Sequence, residues 1–312
     1  MFKVFDGHCD TILRCYLRGG NIRKNEGHLD LERMRKYDGW AQFFAIFGSR
    51  DETPDRPLYQ VFQEEYAIFR REMAAQADWV VHCRTAREAE AAWRSGRQAA
   101  FLSVEGAELL DCDLDKLERA YQMGVRAVNL TWNFENPLSG SNDEGADKGL
   151  TDRGRAFVIR MQELGMLVDV SHLSDPGFWD VMELAKKPVF ASHSNARAVC
   201  GHKRNLTDAQ FTAIISNHGV AGLNMCDEFL GPDPDLDTVV AHIEHWFGLG
   251  GEKNVSLGGD WDGITTPPGG ISGIQDLDRL ANRLLQLNYS EERVEDLFAN
   301  NLMRVVREVC TM

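Results

Sequence analysis

The chain has 312 residues, 43% hydrophobic and 26% charged, the ordinary balance of a globular protein with one large domain or two average ones. Its formal net charge of −14 argues against nucleic acid or an anionic membrane surface as a partner. No apolar stretch approaches the ~18 residues that a membrane span needs. Met1 leads at once into Phe2-Lys3-Val4, which leaves no room for a signal peptide. Seven scattered cysteines without a C-x-x-C pair fit free thiols in a reducing compartment, so the expected location is cytoplasmic.

Eight apolar runs of β type punctuate the chain: Val4 to Phe5, Trp40 to Phe47, Ala99 to Val104, Val125 to Leu130, Met166 to Val170, Pro188 to Ala191, Val220 to Met225 and Val255 to Leu257. Between most of them lie stretches of helical periodicity. Thr207 with Gln210 forms a capping-box pattern, Asp175 is a cap candidate before a proline suited to a first helical turn, and Gly165 and Gly219 stand where helices should stop. Strands alternating with helices point to parallel pairing, and at this length a (β/α)8 TIM barrel is the leading α/β architecture, as a single domain over 1–312. A doubly wound open sheet is the runner-up, but its Gly-rich phosphate loop is missing after the first strand, where His8-Cys9-Asp10 stands. Two insertions stretch the pattern, Leu13 to Gly39 and Phe134 to Gly149. The second, rich in Gly, Asn, Asp and Ser, is either a loop over a pocket or a solvated connection.

In such a barrel, catalytic side chains come from the C-terminal ends of several strands. The sequence puts metal-type residues at five of those eight ends. They are His8 and Asp10 after the first, Glu105 after the third, His172 after the fifth, His193 after the sixth and Asp260 after the eighth. Imidazole and carboxylate suit zinc or a similar first-row metal, and residues i and i+2 of a strand share a face, so that His8 and Asp10 converge. Taken singly, each residue has a plainer reading: Asp6 or Asp10 as a helix cap, His172 or His193 as a buried histidine bonded to backbone, Glu105 as an exposed turn carboxylate. Taken together they point to a site. Glu105 is placed to bridge two cations, Asp260 to exchange a proton with water, and Asp262 to fix its loop. Arg204, in Lys203-Arg204-Asn205, offers either a solvated charge or a bidentate grip on a substrate carboxylate. His242 and His245, three apart on one helix, are read as surface residues.

These residues, with Asp6-Gly7-His8-Cys9-Asp10, Val104-Glu105-Gly106, Lys148-Gly149-Leu150-Thr151, Val168-Asp169-Val170-Ser171-His172, Ala191-Ser192-His193-Ser194, Arg204-Asn205 and Gly258-Gly259-Asp260-Trp261-Asp262-Gly263, resemble in order the membrane (renal) dipeptidase family of zinc peptidases. The resemblance implies a metal-dependent hydrolase barrel with two zinc ions, commonly a homodimer, that cleaves dipeptides and tolerates a D-residue at the C-terminal position. It implies His8 and Asp10 on one zinc, His172 and His193 on the other, Glu105 between them, Arg204 on the substrate's terminal carboxylate, and Asp260 serving the attacking water and the leaving amine.

The chain departs from the family at two places. Its fourth strand ends Leu130-Thr131-Trp132-Asn133, where the family has a substrate-contacting histidine in place of Trp132. Asn224 is followed by Met225-Cys226-Asp227-Glu228, where the family often shows an aromatic pair. Trp132 and Asn224 are therefore candidate substrate contacts. Two other readings stand beside the dipeptidase: a zinc hydrolase of another acyl substrate, such as a lactone or cyclic amide, and a metal-binding barrel without turnover.

Overall fold

The computed structural model describes residues 2–54 and 56–311. Among the described residues nine parallel strands run in chain order as β1 (Lys3–Cys9), β2 (Gly39–Phe47), β3 (Val80–His82), β4 (Gln98–Glu105), β5 (Val125–Asn129), β6 (Leu167–Asp169), β7 (Phe190–Ala191), β8 (Val220–Leu223) and β9 (Val255–Leu257). Eight of them close on themselves, since β1 pairs with both β2 and β9 and β2 pairs directly with β4. The protein is thus a (β/α)8 TIM barrel. The ninth, β3, adds to the first residues of β4 outside the ring. Its three residues are too short a run to read as a strand from sequence, where only eight were expected.

The apolar runs split the core in two because strand side chains alternate between faces. Outward residues such as Val4, Val104 and Val128 pack under the helices. Inward residues near the strand starts fill the barrel: Phe5, Phe43, Phe101 and Phe190, with ring centroids 5.1 to 5.7 Å apart. The helix Asn301–Val309 closes this end with Leu302, Val305 and Val306 in the same cluster. With one end plugged by aromatic rings, polar groups collect at the other, where the strands end.

The expected capping box of Thr207 and Gln210 opens the helix Asp208–Ser216. Gly165 closes Asp152–Leu164 in the left-handed conformation. Two boundary expectations shift. Ser174, not Asp175, caps Asp175–Leu184 by accepting from Gly177 N, which puts Pro176 in the first turn. After Asp208–Ser216 the left-handed residue is His218, while Gly219 serves close packing, since a Cβ there would lie 2.5 Å from Val189 O. His242, expected at the surface, is fully buried: it accepts from Ala196 N at 3.1 Å and its Nε2 meets Leu230 O at 3.1 Å.

Candidate active site

The C-terminal strand ends open into a cavity of about 830 Å³ lined by Asp10, Glu105, Trp132, His172, Arg204 and Asp260, among others. His8 and His193 lie just beneath its floor, each 1% exposed. The structure therefore gathers all the residues expected at the strand ends around one point.

The way His8 reaches that point differs from simple alternation. Asp6 pairs with Gln42 and Cys9 with Phe44, so two residues of β1, Gly7 and His8, stand opposite the single Phe43. This bulge re-aims the side chain. Gly7 allows it: a Cβ there would meet Ser192 O at 2.8 Å. Asp10 occupies the N-cap position of the helix Thr11–Arg18 but its side chain caps nothing, which leaves the carboxylate for the pocket.

Glu105 is the centre of the cluster. Its Oε2 lies 3.1 Å from His8 Nε2, while its Oε1 lies 3.0 Å from His172 Nε2 and 3.5 Å from His193 Nε2. His8 Nε2 also faces Asp10 Oδ2 at 3.5 Å and Asp260 Oδ1 at 4.0 Å. Among the described residues two triads have potential ligand atoms mutually within 4.8 Å: His8, Glu105 and His193, and His8, Asp10 and Asp260.

The electrostatics are unusual. Burial would lower the His8 pKa, but Glu105 and Asp10 outweigh it and raise it well above the ordinary imidazole value. Burial pushes Asp10 up to about 7 and also raises Asp260, against the pull of His8 in both cases. For Glu105, burial alone would raise the pKa, and His8, His172 and His193 together hold it well below the usual carboxylate range. Burial keeps the other two imidazoles neutral, His172 at about 4 and His193 well below its ordinary value. Three buried carboxylates thus face one imidazolium and the buried Arg204 guanidinium, an excess of negative charge that cations in their midst would offset. His8 Nε2 and Asp10 Oδ1 are buried without a hydrogen bond, and buried polar atoms rarely go unpaired. The donor set of three imidazoles and two or three carboxylates fits zinc or a neighbouring first-row metal.

Sequence reading missed the shell that holds these candidate ligands. Asp6, fully buried, accepts from His8 N at 3.0 Å, Gln42 Nε2 at 2.9 Å, Gly259 N at 2.9 Å and Trp261 Nε1 at 3.1 Å, tying β1 to β2 and to the loop after β9. Asp169 does the same between Ser171 N and Ser192 N, each at 3.0 Å. His172 Nδ1 meets Asn133 Oδ1 at 2.9 Å, and His193 Nδ1 meets Ser192 Oγ at 2.7 Å. Such contacts orient a ligating imidazole and leave Nε2 for the metal. The available signal was the repeated Asp-x-X at the strand ends, Asp6-Gly7-His8 and Asp169-Val170-Ser171, in which the carboxylate folds back on the amide two residues on.

The remaining candidates divide. Arg204 is 5% exposed; its Nη2 donates to His193 O at 3.3 Å, while Nε and Nη1 have no hydrogen-bond partner. Trp132 is half-buried on the pocket wall, its ring centroid 6.2 Å from that of His172. Asn224 does not reach the pocket. It is fully buried, and its side chain is spent on Asp260 Oδ2 at 3.0 Å and Cys226 N at 2.7 Å, so it stands behind Asp260 rather than against a substrate. Asp262 fixes its loop as expected, accepting from His28 N at 2.7 Å and Thr11 Oγ1 at 2.6 Å. The 134–149 segment borders the cavity through Asn142 and Asp143, and Asp143 pairs with Lys203 beside Arg204.

Comparison with known proteins agrees with this geometry. The model of the membrane dipeptidase family, peptidase family M19, matches residues 1–312. An uncharacterized dipeptidase of Schizosaccharomyces pombe is 32% identical over 97% of this chain and 79% of its own. A metallo peptidase of Rhodobacter sphaeroides, solved with a phosphinate mimic of the dipeptide L-Ala-D-Ala, superposes with a TM-score of 0.86 at 29% identity over 99% of each chain. A dipeptidase AC, a metallo peptidase of family M19, gives a TM-score of 0.85 at 31% identity over 100% of this chain and 99% of its own.

Proposed function

The chain belongs to the membrane dipeptidase family, peptidase family M19, and from that premise we propose that it is a binuclear zinc dipeptidase that accepts a D-residue at the C-terminal position. The observation that carries the binuclear reading is the division of Glu105, one oxygen toward His8 and the other toward His172 and His193. In this reading His8 and Asp10 hold one zinc, His172 and His193 hold the second, and Glu105 bridges them. The chemistry zinc supplies when bound is Lewis acidity, which polarises a scissile carbonyl and acidifies water toward neutral pH.

The chain's own residues supply the rest. Arg204 offers two unpartnered N–H edges, Nε and Nη1, and takes the substrate's terminal carboxylate in a charge-assisted pair. Asp260, held by Asn224 Nδ2 through Oδ2, accepts the proton of the attacking water and passes it to the nitrogen as the C–N bond breaks. Burial, which raises its pKa, helps it to hold that proton. The tolerance for a C-terminal D-residue is supported by the L-Ala-D-Ala mimic in the Rhodobacter sphaeroides relative.

The whole of 1–312 acts as one barrel domain in this reading, as a homodimer in the cytoplasm, with a small dipeptide as partner. Seven free cysteines support the reducing compartment, and no helix among the described residues is long and apolar enough to cross a membrane. The test is hydrolysis of L-L and L-D dipeptides by zinc-loaded protein beside an EDTA-treated control. Zinc-dependent release of free amino acids is expected; silence with two zincs bound removes the dipeptidase and retains the metallohydrolase.

A further inference from the structure

Across the mouth of the barrel from Arg204 lies a surface of opposite character. Phe47 ends β2, and Trp132 follows β5; their ring centroids are 5.0 Å apart. Trp132 also meets Phe134 edge-on at 5.5 Å, and the Arg50 guanidinium stacks on Phe134 at 3.9 Å, so the indole is held from behind. Leu13 and Leu17, one turn apart on the helix Thr11–Arg18, extend this wall to the rim. Leu17 is 48% exposed, one of few large apolar side chains that open to solvent. The wall lines the same cavity as Arg204, whose own neighbourhood combines the charged or polar His202, Lys203 and Asp227 with a single ring, Phe229, 5.4 Å from the guanidinium.

Position in the ring assigns the two ends of a substrate. β2 and β7, the strand from which the Arg204 loop departs, are four strands apart either way round the eight-stranded ring, and β5, which carries Trp132, stands midway between them on one side. With a carboxylate on Arg204 and the scissile carbonyl over Glu105 at the centre, the N-terminal residue extends toward Phe47 and Trp132. We propose that Phe47, Trp132, Leu13 and Leu17 form a specificity subsite for a large apolar or aromatic side chain on the N-terminal residue of the dipeptide. This rests on the dipeptidase reading. An aromatic wall gains affinity by apolar burial and ring stacking, neither of which glycine or alanine can use.

The test is kcat/KM of the zinc-loaded enzyme on Gly-Ala, Ala-Ala, Leu-Ala and Phe-Ala, beside the reversed series Ala-Gly to Ala-Phe. A gain of about tenfold or more from Gly-Ala to Phe-Ala is expected, the scale on which apolar pockets discriminate, with no comparable gradient in the reversed series. Trp132→Ala should shrink that ratio at least threefold and Trp132→Phe should keep most of it. Leu17→Ser, at an exposed position that the fold does not need, should also shrink it and serves if Trp132→Ala fails to fold. A flat N-terminal series, a gradient that favours glycine, a gradient confined to the C-terminal residue, or a ratio untouched by both Leu17→Ser and Trp132→Ala overturns the subsite while leaving the dipeptidase intact. Absence of turnover on every dipeptide removes the dipeptidase reading, and the subsite with it.

Discussion

His172 Nε2 and His193 Nε2 lie 2.9 Å apart, and the other nitrogen of each ring is already engaged, by Asn133 Oδ1 and Ser192 Oγ. Both imidazoles are held neutral by burial. In the tautomer that ligates a metal, with both Nδ1 protons directed at those oxygens, the two Nε2 lone pairs would face each other across less than a van der Waals separation, beside the Oε1 of Glu105. A cation held among the three would turn this opposition into coordination.

Metal binding should therefore stabilise the fold. Adding zinc to chelated protein is expected to raise the melting temperature by several degrees and to saturate near two equivalents. A ligand at a hundred times its Kd contributes about 2.7 kcal/mol. Calorimetric titration with metal analysis checks it; saturation at one equivalent, or no shift in melting temperature, counts against the binuclear centre. Glu105→Gln should lower metal content and cut kcat/KM by roughly a thousandfold or more, since an amide offers one neutral acceptor where a carboxylate offers two charged ones.

Arg204 tests the orientation of the substrate. Its Nε and Nη1 are buried without partners, an arrangement that costs stability unless a ligand completes it. Arg204→Ala is expected to reduce kcat/KM on dipeptides about a hundredfold, chiefly through KM, and to narrow the gap between a free dipeptide and its C-terminal amide. Equal losses on both substrates would mean that the guanidinium acts elsewhere.

How far the sequence reveals these features depends on how local their causes are. The barrel strands show as apolar runs because burial on both faces demands them. The five candidate ligands show because the strand ends are where such a barrel places its chemistry. β3 is invisible because three residues carry no periodicity. The burial of His242 was legible after all: Val239, Ile243 and Trp246 stand three before, one after and four after it, so it lies on the apolar stripe of its helix, and the spacing to His245 distracts from that. The bulge at Gly7-His8 and three of the four donors on Asp6 come from β2 and the loop after β9, partners far away in sequence. Asn224 reads as a pocket residue by position, and only the bonds to Asp260 and Cys226 reveal that it faces away.

That placement of Asn224 separates two effects on turnover. Asp260→Asn should cost a hundredfold to ten-thousandfold in kcat, the range for losing a general acid–base, with metal content unchanged. Asn224→Ala should cost less, about tenfold in kcat with KM little altered, because the carboxylate stays but loses the bond that aims Oδ2. An Asn224→Ala variant whose loss falls in KM instead would restore Asn224 to the substrate. Steady-state kinetics on one good dipeptide distinguishes the cases.

A final prediction concerns the support of the loop that carries Trp132 and Asn133. Glu108 accepts from Asn136 Nδ2 at 2.7 Å, and burial pushes its carboxyl from the ordinary 4.5 up to about 7. A group whose folded-state pKa is raised contributes stability that is fully present below 4.5 and is lost as pH rises through about 7. Glu108→Gln keeps an acceptor for Asn136 and never ionises. Relative to this variant, the native protein should lose stability between pH 5 and pH 8, by at most about 3 kcal/mol. Urea denaturation of both proteins at the two pH values measures the difference, and parallel behaviour would mean that Glu108 is already ionised at pH 5.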